Sequence, residues 1–255
     1  MDPRVGLIRD FSRTFAEGTA KVETKDCGFP FLDRLLRGGV ELEYGELTPL
    51  RLLHRYKLVH VSEARMIELL AAHVDKEWNV CRYFGPTAND VFCFNVDNNR
   101  KATSAAVVAE VEVTVRALEG YLREVECEPL VVASGRGYHV WCRLGAPVEN
   151  ARLYEFLLPM AARALATVTA FDHTHIKINL YPDVRLRNVV SLRLFGSLHA
   201  KTGVFSRVLG PDGLLDEAAS WDRFADFVEK RAISTATFDA AYGSLASLRL
   251  LIERR

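Results

Sequence analysis

Two carboxylates follow apolar, strand-like runs, at positions where many α/β proteins hold metal ligands. Asp97 ends the run "VFCFNV" that begins at Val91, and Asp183 comes shortly after the alternating run "HTHIKINL". Carboxylate oxygens bind Mg²⁺ and Mn²⁺, which in turn bind phosphate oxygens in phosphoryl transfer. The residue two before Asp97 is Asn95, where a second carboxylate would be expected. The stretch therefore indicates a two-metal site, a weakened one, or a strand that enters an Asn-rich turn.

A second polar group lies in "VVASGRGYHVW", where glycines separate two strand-like runs. Glycines let backbone N–H groups approach an anion closely, and Ser134, Arg136 and His139 can each donate a hydrogen bond to phosphate. The alternative is a plain glycine hairpin whose His139 faces the sheet, and the segment alone favours that alternative. It is not a P-loop, because no Gly-Lys-Ser or Gly-Lys-Thr follows the glycines.

A third feature is a basic segment without any acidic residue between Asp183 and Asp212. Hydrogen-bond donors and glycines accompany its charges in "FGSLHAKTG". Such a patch suits a triphosphate or a nucleic-acid backbone, whereas a solvated basic strand pair would not explain the concentration of small and donor residues. The cations and donors of this segment are Arg185, Arg187, Arg193, Ser197, His199, Lys201, Thr202 and Arg207.

The elements that must position these residues follow the order β-α-β-β-α-β. This order predicts an α+β fold of the split βαβ, RRM-like kind, with an antiparallel sheet and two helices on one face. Its first strand usually lies beside its fourth, so we expect Asp97 and Asp183 to converge near one end. The predicted elements are "VFCFNV", residues 103–124, "EPLVVAS", "YHVWCRL", "ENARLYEFLLPMAARALATV" and "HTHIKINL".

Composition limits the classes of function. Formal net charge is +0, with 33 basic and 33 acidic residues, which argues against a strongly electrostatic nucleic-acid binder but not against local clusters. The charged N-terminus carries no visible secretory signal, and no apolar run approaches the ~18 residues of a membrane span. The 5 cysteines are scattered, which indicates neither a zinc ribbon nor a disulfide framework. We therefore expect a cytoplasmic protein without a membrane partner.

Four segments together resemble the archaeo-eukaryotic primase superfamily, the primase-polymerases. That family carries a DxD-type acidic motif, an SxH motif on a hairpin, a third acid and an "SLH-x-KTG" signature. The corresponding segments here are "FNVDNN", "SGRGYHVW", "YPDV" and "LRLFGSLHAKTG". The resemblance covers about residues 80 to 210, and it implies an RRM-like catalytic core of the primase type.

The resemblance also implies roles for individual residues. Asp97 matches the second acid of the first motif, and Asn95 stands where the family has the first. Asp183 matches the third acid, with Asp172 as the other candidate, so these positions would hold Mg²⁺ or Mn²⁺. The residues matched to nucleotide or template contacts are Ser134, Arg136, His139, Arg193, Ser197, His199 and Lys201.

The implied activity is nucleotidyl transfer: template-directed synthesis or extension of a DNA or RNA primer by a two-metal mechanism, as in a DNA primase or DNA-directed polymerase. Nucleoside triphosphates and a DNA template or primer, or an RNA primer, would be the partners, together with an accessory replication subunit. We expect one domain over 1–255. It would consist of an N-terminal α/β portion at 1–90, an RRM-like catalytic portion at 91–215, and C-terminal helices at 216–255.

Asn95 keeps a second function open. Loss of one carboxylate weakens both metal binding and stabilisation of the transferring phosphoryl group. The rival is a weakened or inactive module of this fold that binds nucleotide or nucleic acid within a replication, repair or defence complex. A third option is an unrelated RRM-like RNA binder, which would read RNA with aromatic residues on the sheet face. Separately, Tyr138, Trp141 and Phe195 are candidates for base stacking of the kind that single-strand binders use.

Overall fold

The computed structural model describes most of the chain, and it leaves several segments, chiefly before residue 63, undescribed. The described ranges are 2–11, 19–23, 42–43, 56–60, 63–77, 79–84, 87–98, 105–167, 175–184, 191–199, 203–230 and 232–253.

The chain divides into two compact units. The first contains Met1–Phe84 and Val189–Ser206, and the second contains Gly85–Asn188 and Arg207–Arg255. Each unit has its own sheet, so the molecule is of mixed α/β type with mainly antiparallel strand pairing. Within the described ranges, no helix combines the length and the apolar character required to cross a bilayer.

Among its described residues, the first unit contains a five-stranded sheet and two helices. Its strand order is β2-β3-β1-β4-β9, and every neighbouring pair is antiparallel. The elements are α1 (Pro3–Phe11), β1 (Thr19–Glu23), β2 (Leu42–Glu43), β3 (Tyr56–His60), α2 (Glu63–Val74), β4 (Val80–Tyr83) and β9 (Ser191–Arg193). Because β9 pairs with β4, the segment that follows β9 belongs to this unit.

The second unit is built on a larger sheet. Its strand order is β11-β10-β6-β7-β5-β8, and these neighbours pair antiparallel, whereas β12 pairs parallel with β7. The elements are β5 (Ala88–Asn98), α3 (Ala105–Glu124), β6 (Leu130–Ala133), β7 (Gly137–Glu149), α4 (Asn150–Leu165), β8 (Ile176–Tyr181), β10 (Arg207–Gly210), β11 (Gly213–Leu214), α5 (Glu217–Lys230), β12 (Ala232–Ile233) and α6 (Thr235–Glu253).

One face of this sheet packs against α3 and α4 because the residues alternate along β5. Phe92, Phe94 and Val96 are fully buried in the core cluster, which also contains apolar residues of both helices. On α3 these are Val111, Val115, Leu118 and Leu122, spaced for a single helix face. Each such side chain contributes about 1.5–3 kcal/mol through burial. The alternate residues of β5 therefore lie on the opposite face.

The predicted order of elements is confirmed, and so is the expectation that the first predicted strand, β5, lies beside the fourth, β8. Both central strands extend further than the predicted runs. Residues 88–98 form β5 because Ala88 and Asn89 pair with Glu149 and Val148 across a bulge. The strand β7 extends beyond Leu144 because Val148 and Glu149 pair with Asn89 and Ala88 of β5. These extensions depend on tertiary pairing, which local sequence does not reveal.

Candidate functional site

A row of polar side chains crosses three strands of the second unit's sheet, on the face opposite α3 and α4. Asn95 on β5 pairs directly with His139 on β7 and with Asn179 on β8. Directly opposed residues of antiparallel strands share a face, with Cβ atoms about 4.5–5.5 Å apart. Two amides and an imidazole therefore lie side by side at the centre of the row.

The next row on the same face contains the carboxylate. Asp97 pairs with Gly137 on β7 and with Lys177 on β8. Asp97 is half-buried and Lys177 is exposed. We call Asn95, Asp97, His139, Lys177 and Asn179 the polar band. Within it, an ammonium rather than a second carboxylate is placed opposite Asp97.

Gly137 permits a close approach beside Asp97. A Cβ atom built at Gly137 would lie 2.1 Å from the Val96 carbonyl oxygen and 3.0 Å from the Asp97 Cα atom. Backbone cannot yield at such distances, so only glycine is compatible with this position. The second glycine of "SGRG" therefore serves the strand pairing next to the polar band.

The predicted tight hairpin is confirmed. The Ser134 N–H donates to the Gly137 carbonyl across 2.8 Å, and Gly135 has a φ of 104°, a conformation that glycine adopts without strain. Arg136 is half-buried at the tip, and its Nε atom is buried with no hydrogen-bond partner in the described part of the protein. The tip and Asp97 lie at the same end of the sheet, because Gly137 pairs with Asp97.

His139 lies within β7, two residues beyond the tip. Its side chain is only 5% exposed, and its ring packs edge-on against Trp141 with centroids 5.9 Å apart. The same face is covered further along by α5, where Arg143 donates to the Val228 carbonyl. The buried His139 ring packs on the sheet against Trp141, which agrees with the plain hairpin interpretation. His139 is also the cross-strand neighbour of Asn95, which a binding site at this position requires.

The expected convergence of Asp97 with Asp183 is wrong. The strand β8 runs antiparallel to β5, so its carboxyl end leads away from Asp97, and Tyr181 pairs with Cys93. Cys93 lies four residues before Asp97, about 14 Å along a strand. Asp183 is buried and follows Tyr181 by two residues. Its alternative, Asp172, is outside the described residues.

The first unit contains the "SLH" residues. We call Leu194–His199 with Gly203–Ser206 the motif loop. Ser197 and His199 are 3% and 4% exposed, and Arg193, which precedes the loop, is half-buried. The Ser197 hydroxyl donates to the Leu194 carbonyl across 2.7 Å, so it closes a turn within the loop. The other candidate of this segment, Lys201, lies outside the described residues.

Two residues that sequence reasoning missed hold the motif loop. His73 is fully buried, accepts from the Val80 N–H at 3.1 Å through Nδ1, and donates through Nε2 to the Phe195 carbonyl at 2.8 Å. These contacts require the neutral Nε2–H tautomer. Asn79 donates to the Leu198 carbonyl at 2.7 Å and accepts from its N–H at 3.0 Å. No sequence signal marks these contacts, because they span 119 and 122 residues.

Cys93 lies on the same face as the polar band, two residues before Asn95. It is fully buried, and desolvation raises the pKa of its thiol well above the ordinary value, although a hydrogen bond with the Val140 backbone opposes this. A thiol of this kind stays protonated at neutral pH and is a poor nucleophile. The chemistry of this face therefore depends on Asp97, the amides, His139 and Lys177.

The polar band does not fit two divalent cations. Such a pair needs several carboxylates around it, whereas this row offers one carboxylate, two neutral amides and a cation opposite the carboxylate. Across the described residues, no three His, Cys, Asp or Glu side chains form a group that could hold a metal ion. Binding of Mg²⁺ or Mn²⁺ by Asn95, Asp97 and Asp183 together is thus not supported by the geometry.

Comparisons with known proteins add little. No protein-family model matches the chain, and no curated protein does. One solved structure that matches is the polymerase domain from Mycobacterium tuberculosis Ligase D in complex with DNA. The alignment has 12% sequence identity and a TM-score of 0.42, over 96% of this chain and 87% of that chain. This likeness is too low to carry an argument about fold or function.

Proposed function

We propose that this chain is a primase-polymerase-like module that binds nucleotide or nucleic acid and is weak or inactive in nucleotidyl transfer. It would act within a larger replication, repair or defence assembly. The proposal joins the motif resemblance of residues 80 to 210 to the chemistry of the polar band.

One observation is the main support for weak or absent catalysis. Asn95 and Asn179 are directly opposed on neighbouring strands, next to Asp97 on the same face. Amide oxygens can contact a hard cation, but each carries no net charge, so the row supplies one negative charge where two-metal transfer requires more. Both β5 and the neighbouring strand β8 therefore carry a neutral amide, rather than a carboxylate, at this position.

Retained features support binding. The hairpin tip carries Arg136 at the end of the sheet where Asp97 lies, and the motif loop of the first unit keeps Ser197 and His199. For the fold, we propose the RRM-like arrangement: the order β6-β7-β5-β8, antiparallel throughout, with helices following β5 and β7, supports it.

The second candidate is an active nucleotidyltransferase that synthesises or extends primers. Asp97 favours it, since a carboxylate still stands near the end of the central strand, as in the family that the sequence resembles. In that case Asn95 would be a tolerated ligand and a further acid would come from elsewhere. Retention of Asp97 alone makes this the less favoured function.

An RNA binder that stacks bases on sheet-face aromatics is not favoured. Trp141 is 1% exposed, and Tyr138 lies on the face that packs against the helices. Base stacking requires exposed rings, so neither residue is available in the way that such binders use them.

The test is a pair of assays on the unaltered chain. Binding of a labelled nucleoside triphosphate and of labelled single-stranded DNA is measured first. Primer synthesis and extension are then measured with Mg²⁺ and with Mn²⁺. We expect binding of at least one probe and product at or near background.

Efficient primer extension would contradict the proposal and favour the nucleotidyltransferase. Absence of binding to both probes, with the protein shown to be folded by circular dichroism, would contradict both functions.

A further inference from the structure

We propose that the polar band binds a phosphate group without a divalent cation, and that the Lys177 ammonium supplies the positive charge. This inference rests on the proposed function and deepens it. The ligand is a phosphate of a nucleoside triphosphate or of a single-stranded nucleic acid, since both present the same oxyanion.

The strand register places the cation. Lys177 is directly opposite Asp97 on β8, on the face that carries Asn95 and Asn179. A lysine side chain is long enough to reach across a cross-strand pair, and its exposed position leaves the ammonium accessible. The ammonium can therefore reach a ligand on this face.

The same register disfavours a metal ion. A divalent cation at Asp97 would have the Lys177 ammonium on the neighbouring strand, and repulsion between like charges would lower its affinity. The amides of Asn95 and Asn179 are uncharged, so they do not offset this repulsion. In a site of this composition the Lys177 ammonium, rather than Mg²⁺ or Mn²⁺, supplies the positive charge.

The neighbouring donors suit a phosphate. Each Asn side chain can donate two hydrogen bonds, and lysine can donate three. Arg136 stands at the adjacent hairpin tip, and its Nε atom has no hydrogen-bond partner within the described residues. Charge-assisted bonds from lysine and arginine to phosphate are the strong kind. Lys177 and the two amides could therefore bind an oxyanion without the aid of a metal, and Arg136 lies at the same end of the sheet.

The first experiment measures affinity for fluorescent ATP and for a fluorescent single-stranded oligonucleotide, each with Mg²⁺ and with a chelator. We expect at least one probe to bind equally well in both conditions. Lys177→Gln should weaken that binding about tenfold, because it removes one charge-assisted hydrogen bond. Lys177→Arg should restore most of the loss. The matched control is Arg163→Gln, which removes an exposed cation on α4 and should leave affinity unchanged.

The salt dependence of oligonucleotide affinity also measures how many phosphate contacts the protein makes. Loss of one phosphate contact should reduce the slope of log affinity against log salt by about 0.7. A lysine with a purely structural role would not change this slope. Asp97→Asn distinguishes the two kinds of site: it should tighten metal-free binding severalfold by removing a negative charge near the phosphate, whereas a metal site would lose affinity.

The failures are distinguishable. Binding that needs Mg²⁺ and is lost in Asp97→Asn would overturn the metal-free site and leave the proposed function standing. Metal-free binding that Lys177→Gln does not weaken would overturn the role of Lys177 alone. No binding of either probe in any condition would overturn the proposed function and this inference together.

Discussion

The two units position their motif residues by different means. In the second unit, strand register alone aligns the polar band, since Asn95 and Asp97 each face a residue of β7 and a residue of β8. In the first unit, side chains distant in sequence hold the motif loop, because His73 and Asn79 bond its backbone. The polar band should therefore respond to changes in pairing, and the motif loop to loss of a single buried hydrogen bond.

The largest effect should come from blocking the strand pairing. Gly137→Ala introduces a Cβ atom 2.1 Å from the Val96 carbonyl oxygen, so β7 and β5 must separate beside Asp97. We expect the free energy of unfolding to fall by about 3 kcal/mol or more, measured by urea denaturation. The control is Gly120→Ala on α3, whose added Cβ would meet nothing within 4 Å. It should raise stability by about 0.5–1 kcal/mol. Equal effects at the two glycines would contradict the account of Gly137.

Removing the buried imidazole should have the next largest effect. His73→Ala leaves the Val80 N–H and the Phe195 carbonyl without their present partner, so we expect a loss of about 2–3 kcal/mol. Hydrogen exchange should accelerate at the amide of Leu194, which donates to the Val80 carbonyl. Asp75→Ala, an exposed change just after α2, should stay within about 0.5 kcal/mol. Unchanged exchange at Leu194 would mean that His73 does not hold the motif loop.

Asn79 allows a finer test of the same loop. Asn79→Asp keeps an acceptor for the Leu198 N–H but places a carboxylate against the Leu198 carbonyl, where the amide now donates. We expect a cost of about 1–2 kcal/mol, measured by denaturation at neutral pH. The cost should shrink in acid, where the protonated carboxyl can donate again. A cost that is independent of pH would argue against the two-bond arrangement.

The smallest effect should be an alkaline one in the second unit. Burial raises the pKa of Tyr138, the nearby Glu112 charge raises it further, and Arg116 opposes them. Because the folded-state pKa is raised, the contribution of the protonated Tyr138 phenol to stability is fully present below the unfolded pKa. It is lost as pH rises through the folded pKa. Tyr138→Phe should therefore reduce the decline in stability as pH rises above about 10, the ordinary pKa of a tyrosine. An unaltered decline would show that Tyr138 does not titrate there.

Sequence predicted the elements of the second unit because their patterns are local. The aromatic and β-branched residues of "VFCFNV" predicted β5, and the glycines of "SGRG" predicted the hairpin. Asn179 and Lys177 were missed although "IKINLY" alternates, because their importance depends on pairing with Asn95 and Asp97, about 80 residues earlier. The predicted convergence of two carboxylates failed since neighbouring antiparallel strands end at opposite edges.

The division into two units also lay beyond local patterns. The segment carrying Arg193, Ser197 and His199 follows the second unit's strands in sequence, yet β9 pairs with β4 in the first unit. Only a contact between residues more than 100 positions apart decides this. A single domain over 1–255 stays a prediction.

The most direct test of the central claim is to measure Mn²⁺ affinity by isothermal titration for the natural chain and for the double variant Asn95→Asp/Asn179→Asp. Each substitution introduces a carboxylate near Asp97 on the same sheet face. The account predicts no measurable binding at the natural site and a new site in the variant, accompanied by a gain in primer extension. Tight Mn²⁺ binding by the natural chain, abolished by Asp97→Asn, would contradict it.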